Sequence, residues 1–147
     1  MKIIPRKGVD ELLFGMTQKD VEAIYGPADR VYEDEDDNIV ALYYDKKLRL
    51  TFYEDENFKL GYIITANPKS SLFDSNVIGK QPDEVKRKLE AHNIKSWQQE
   101  EFDISVSHYN EQNWLTLESE FGEVVKVELG AMINDKDEFE WAFKAKK

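Results

Sequence analysis

The sequence predicts an α+β protein: two tandem units, each a helix followed by a four-stranded antiparallel sheet, with a C-terminal helix closing the chain. Three observations carry that expectation. Two glycine-marked helix starts, Phe14-Gly15-Met16-Thr17 with Asp20-Val21 and Ile78-Gly79-Lys80-Gln81-Pro82 with Asp83-Glu84-Val85, stand about half a chain apart. Each precedes strand-length segments joined by polar connections, several short enough for antiparallel hairpins. Leu50 and Phe52 also match Leu115 and Leu117, and Leu60, Tyr62 and Ile64 match Val125, Val127 and Leu129, at an offset of 65 residues. The expected division is residues 1–67 and residues 68–147.

In the first unit, residues 4–13 read as a lead-in, since Pro5 and Gly8 resist regular structure. Thr17 caps a helix over residues 18–25, Asp20 reaches back to the free amides of its first turn, and Gly26-Pro27 stops it. Strands follow the acidic run 33–38 at residues 39–45, 48–53 and 60–65. Pro68 and its serine and asparagine neighbours mark a linker over residues 66–75.

In the second unit, Pro82 takes the first helical position, with Asp83 and Glu84 at the positive end of the dipole. Val85 and Leu89 form the apolar stripe of a helix over residues 82–91. Strands are expected at residues 95–102, 104–109, 114–119 and 124–131. Residues 135–147 begin with acids, end with lysines and place Phe139, Ala142 and Phe143 on one side, so they read as a terminal helix.

Period-two alternation assigns Leu48, Leu50, Phe52, Leu60, Tyr62 and Ile64 to a covered sheet face, and Arg49, Thr51 and Tyr53 to an open one. In the second unit it covers Leu115, Leu117, Val125, Val127 and Leu129. Trp114, Thr116, Glu118, Lys126 and Glu128 are left open.

The helical start from Val9 to Gly26-Pro27, with its Gly15, capping Thr17 and Asp20-Val21, resembles the SmpA/OmlA-like superfamily, which includes β-lactamase inhibitor proteins. That resemblance implies two helix-plus-sheet units and a concave, aromatic-rich sheet surface that grips another protein. The chain departs from it in having neither an acylated cysteine nor disulfides.

Thirty acids against 20 bases give a net charge of −10, which disfavours nucleic acid and anionic membranes and suits a basic partner. The absence of cysteine excludes disulfides, thiolate metal sites and thiol nucleophiles. The N-terminus lacks the apolar core of a signal peptide, so the expected location is cytoplasmic.

Asp34, Asp36 and Asn38 have the alternating spacing of a calcium loop. Ile39 stands where such a loop needs glycine, and Asp45 where it needs glutamate, so no metal is assigned. His92 and His108 lack helical metal-ligand spacing. No nucleophile elbow, phosphate loop or dinucleotide fingerprint is present.

The expected function is therefore a non-catalytic protein-binding module without a cofactor, of inhibitor or immunity type, occluding a basic partner. Arg49, Tyr53, Trp114, Glu118 and Lys126 on the open sheet face make the contact. The alternative is a small-ligand protein or enzyme using a pocket between the units near Tyr44 and His108.

Overall fold

The computed structural model describes residues 1–144. Two helices form where the sequence places them, each for a local reason. In α1 (Gln18–Tyr25) the capping box is complete: the Asp20 amide donates to Thr17 Oγ1 at 3.4 Å, and the Thr17 amide donates to Asp20 Oδ2 at 3.0 Å. In α2 (Pro82–Glu90), Pro82 opens the helix, acids occupy the first turn and Arg87 and Lys88 the last. Val21 of α1 and Val85 and Leu89 of α2 are buried in one shared hydrophobic cluster.

That cluster lies under one face of an eight-stranded antiparallel sheet. Its first half is the meander β4 (Arg30–Glu33), β5 (Ile39–Tyr43), β6 (Leu48–Tyr53) and β7 (Lys59–Thr65). Its second half is β10 (Gln98–Phe102), β11 (Ser105–Asn110), β12 (Leu115–Glu120) and β13 (Glu123–Gly130). β13 pairs with β7 from Val127↔Thr65 to Gly130↔Tyr62, fusing the halves in the order β10-β11-β12-β13-β7-β6-β5-β4. A five-stranded sheet contributes to the same cluster. It is built from β1 (Lys2–Ile4), β2 (Gly8–Val9), β3 (Leu12–Leu13), β8 (Ser71–Leu72) and β9 (Ser75–Asn76), in the order β3-β2-β1-β8-β9. Ile3, Val9, Leu12 and Leu72 deliver its buried side chains. Burying each of these removes a leucine-sized apolar surface from water, worth about 1.5–3 kcal/mol.

The expected fold class is corrected by this arrangement. Among the described residues the protein is mostly β, with sheets of eight and five strands, two α-helices and no pair of separate helix-plus-four-strand units. The strands of the smaller sheet are two or three residues long, too short for a period-two pattern to register. The repeat also fails in detail. A 3₁₀ turn at Glu54–Glu56 joins the third and fourth strands of the first meander, whereas the turn at Glu111–Asn113 joins the second and third of the other.

The terminal-helix expectation is overturned as well. Residues 135–144 are extended or turned, tied by an Ile133↔Phe139 bridge and by the Phe143 amide donating to the Phe14 carbonyl at 2.9 Å. Residues 145–147 of that expectation lie outside the described residues. Phe139, Trp141 and Phe143 all pack against the core, so the operative period is two and not the helical one.

The two glycine-marked approaches to the helices have a structural task. Leu60 of β7 exchanges backbone hydrogen bonds with Gly15 and Met16, at 2.9 and 2.7 Å; Val124 of β13 does the same with Gly79 and Lys80, at 2.7 and 2.9 Å. Both strands are irregular beside these contacts, with register shifts at Thr51/Phe52 opposite β7 and at Glu118/Ser119 opposite β13. In β7 the extra residue is Gly61, over which the Tyr53 ring lies. A methyl group there would sit 2.0 Å from Tyr53 Cε2. Gly61→Ala is therefore expected to destabilise the protein by about 1–3 kcal/mol in urea unfolding, through displacement of that ring. Adding Tyr53→Ala should make the combined cost clearly smaller than the sum of the two single costs.

Candidate binding face

The bulge at Gly61 sets which side chains face outward. Leu48, Leu50, Phe52, Leu60 and Ile63 enter the core, whereas Tyr62 and Ile64 turn to the other face, opposite Thr51 and Arg49. Their expected inward placement is thus reversed by one residue of register. In β13, Val124, Val127 and Leu129 are buried and Val125 is the irregular residue.

Register then defines an outward row across all eight strands. It runs through Arg30, Leu42, Arg49 and Ile64 in the first half and Glu128, Thr116, Tyr109 and Gln98 in the second. A neighbouring row holds Tyr32, Val40, Thr51 and Tyr62. Val40 and Thr51 on it are buried although neither belongs to the main core, so part of this row is closed off from solvent.

Three of the sequence-predicted contact residues meet on this face. Arg49 occupies the row itself, while Glu118 and Lys126 lie opposite each other one row away. Glu118 accepts a hydrogen bond from Ser107, and Glu128 accepts one from the Tyr62 hydroxyl at 2.7 Å. Burial, followed by this carboxylate, holds the Tyr62 phenol far above its ordinary value, so it remains a donor. Among the described residues the only ion pair within 4.0 Å is Lys88–Glu84 on α2, which leaves the charges of this face unmatched at contact distance.

Tyr53 and Trp114 are placed differently. Tyr53 lies between Gly61 and Phe139, with its ring 5.7 Å from the phenylalanine ring. Phe139 stacks in turn on Trp141 at 4.8 Å. Trp114 adopts a left-handed conformation (φ 48) and lays its indole against Gly130. Both aromatics fill space left by glycines and help hold the end of the sheet. The residues that sequence reasoning missed are Leu42, Tyr62, Ile64 and Tyr109. An isolated glycine inside a strand is the signal that points to a bulge, and Gly61 was that signal for Tyr62 and Ile64.

The alternative pocket does not form from the residues assigned to it. Tyr44 is exposed in the turn after β5, and His108 is buried in β11, with β12, β13, β7 and β6 between their strands. His108 Nε2 lies 3.3 Å from Ser119 Oγ, and its Nδ1 has no hydrogen-bond partner.

No protein-family model and no curated protein matches this sequence. Among solved structures, the fold is similar to that of an extracellular protein containing a SCP domain from Bacillus anthracis. The TM-score is 0.51 at 11% identity, covering 78% of this chain and 42% of that one. A cysteine-rich secretory protein from Staphylococcus aureus gives a TM-score of 0.48 at 14% identity, again covering 78% of this chain and 42% of the other. The match therefore spans less than half the length of either structure. The first of these likenesses overturns the resemblance to the SmpA/OmlA-like superfamily. Glycine followed by a capped helix is a local device that many folds use, and it specifies none of them.

His108 gives the pH dependence a definite sign. Burial and then the nearby Lys86 charge lower its pKa in the folded protein, so the unfolded chain takes up a proton that the folded one refuses. The stability this contributes is complete above the unfolded value of about 6.5 and is lost as pH falls from there through the folded pKa. Urea midpoints measured from neutral to mildly acidic pH should fall more steeply for the wild type than for His108→Asn.

Proposed function

We propose that this chain is a non-catalytic protein-binding module whose contact surface is the outward face of the eight-stranded sheet. The observation that carries this reading is the row from Arg30 to Gln98. It crosses every strand on the side away from the core, while both helices and the smaller sheet send their buried residues to the opposite side. Such a face combines aliphatic and aromatic area at Leu42, Ile64 and Tyr109 with charges at Arg49, Lys126 and Glu128 that form no ion pair within 4.0 Å among the described residues, the mixture that protein interfaces use. A net charge of −10 favours a basic partner and speeds its approach. The inhibitor or immunity form of the reading is supported by charge alone.

Likeness to a protein described as extracellular supports a location outside the cytoplasm, in place of the cytoplasmic expectation. The partner is then to be sought among secreted or surface-held proteins.

The test is capture from the secreted and surface protein fraction of the source cell by the immobilised chain, followed by affinity measurement on the purified partner. Arg49→Glu and Tyr109→Ala are each expected to weaken binding by about tenfold or more. Lys88→Glu, on the helix side, should leave it unchanged. Equal binding by folded Arg49→Glu and Tyr109→Ala proteins would remove this face from the account.

A further inference from the structure

A second feature of the surface lies at one end of the same strands. The β10–β11 turn exposes Phe102 and Ile104, and the β12–β13 turn exposes Phe121, which is 81% accessible. The Phe121 amide donates to the Ile104 carbonyl at 3.1 Å, so the two turns form one tip. Phe121 and Gly122 both have positive φ, 51 and 81, the geometry of a tight hairpin turn whose first position favours asparagine, aspartate or glycine. A bulky aromatic in that position is unfavourable locally, and its ring gains no burial within the chain in return. Glu101, Asp103, Glu120 and Glu123 surround the apolar tip in sequence and register, with Lys80 the nearby base through its backbone contact to Val124.

At the other end of these strands is a groove of opposite character. It has a volume of about 430 Å³ and is lined by Arg6, Lys7, Met132, Phe139, Trp141 and Lys144. The Lys59 ammonium lies 5.4 Å over the Trp141 ring beside it, and Glu140 is the acid of the lining. Arg6 donates to the Gln112 carbonyl at 3.0 Å and to Asn113 Oδ1 at 3.2 Å, which fixes the groove beside the β11–β12 turn. In a chain with ten more acids than bases, a basic and aromatic recess is a local exception.

We propose that the tip of one copy inserts into the groove of a second, head to tail. Apolar rings with an acidic border match an aromatic recess with a basic border, and like-with-like contacts are repelled by their own charges. The two surfaces are separated by the length of β11 and β12, roughly 20 Å. A contact of this kind is heterologous: each copy retains a free tip and a free groove, so association continues as a chain or ring and does not stop at a closed dimer. Three side chains make a small interface, so the association is weak and emerges towards millimolar concentration.

Sedimentation velocity on the purified chain, from micromolar to near-millimolar concentration, tests this. The wild type is expected to form species larger than dimers. Phe121→Asp, which spoils the tip, and Lys7→Glu with Lys144→Glu, which spoils the groove, should each remain monomeric alone. Mixed in equal amounts they should form a dimer and nothing larger, because one supplies the only intact groove and the other the only intact tip. Phe121→Asn separates association from folding, since asparagine suits the left-handed turn: it should melt no lower than the wild type and still fail to associate. A wild type that remains monomeric throughout, a Phe121→Asn protein that associates as well as the wild type, or a mixture with no dimer would overturn the proposal.

Discussion

The pairing of β13 with β7 is the constraint on which the rest of the structure depends. Four residue pairs, Val127↔Thr65 to Gly130↔Tyr62, join two meanders that would otherwise each present an open edge. Once they are joined, the inward residues of both halves can seal a single apolar cluster. The helices and the short-stranded sheet then need to cover only one side. The uncovered side becomes continuous for the same reason, because a row that ended at β7 would serve only half a surface.

The backbone irregularities follow from that joint. β7 and β13 are central strands that also hydrogen-bond to the segments leading into α1 and α2, through Leu60 and Val124. A regular strand cannot direct the same groups both to its neighbour and to a segment outside the sheet, so each strand carries an irregularity beside the contact. In β7 this takes a glycine, with Tyr53 covering the gap; near the end of β13, Trp114 covers Gly130 in a similar way. Aromatic side chains over glycine are an effective means of restoring buried area where the backbone has none to offer.

Much of this was legible in the sequence where local chemistry dominates. The Thr17 capping box, the proline start of α2 and most of the long strands follow from propensity, spacing and short polar turns. Arg49 and Glu118 fell on the outward face because alternation is unbroken around them on their own strands, and Lys126 because it pairs with Glu118 just before Val125 breaks the register. Legibility failed where long-range pairing decides. Tyr62 and Ile64 changed face because one extra residue at Gly61 shifts every later side chain of β7. Lys2–Ile4 and Ser71–Leu72 form a parallel pair between segments that look like a lead-in and a linker, and nothing within either segment announces the other. The aromatics Phe139, Trp141 and Phe143 alternate in a region whose charge pattern imitates a helix, and packing against the core decided for the extended form. The superfamily resemblance failed for a related reason: it rested on a helix start, and a helix start does not fix a topology.

Native-state hydrogen exchange at the β7–β13 joint tests the central claim most directly. If the sheet is one structure, the paired amides of Ile63, Thr65, Val127 and Leu129 exchange only through global unfolding, with the same protection as central amides of β6 and β12. Amides at the joint that exchange through a low-energy local opening, with the two meanders retaining separate stabilities, would contradict the account.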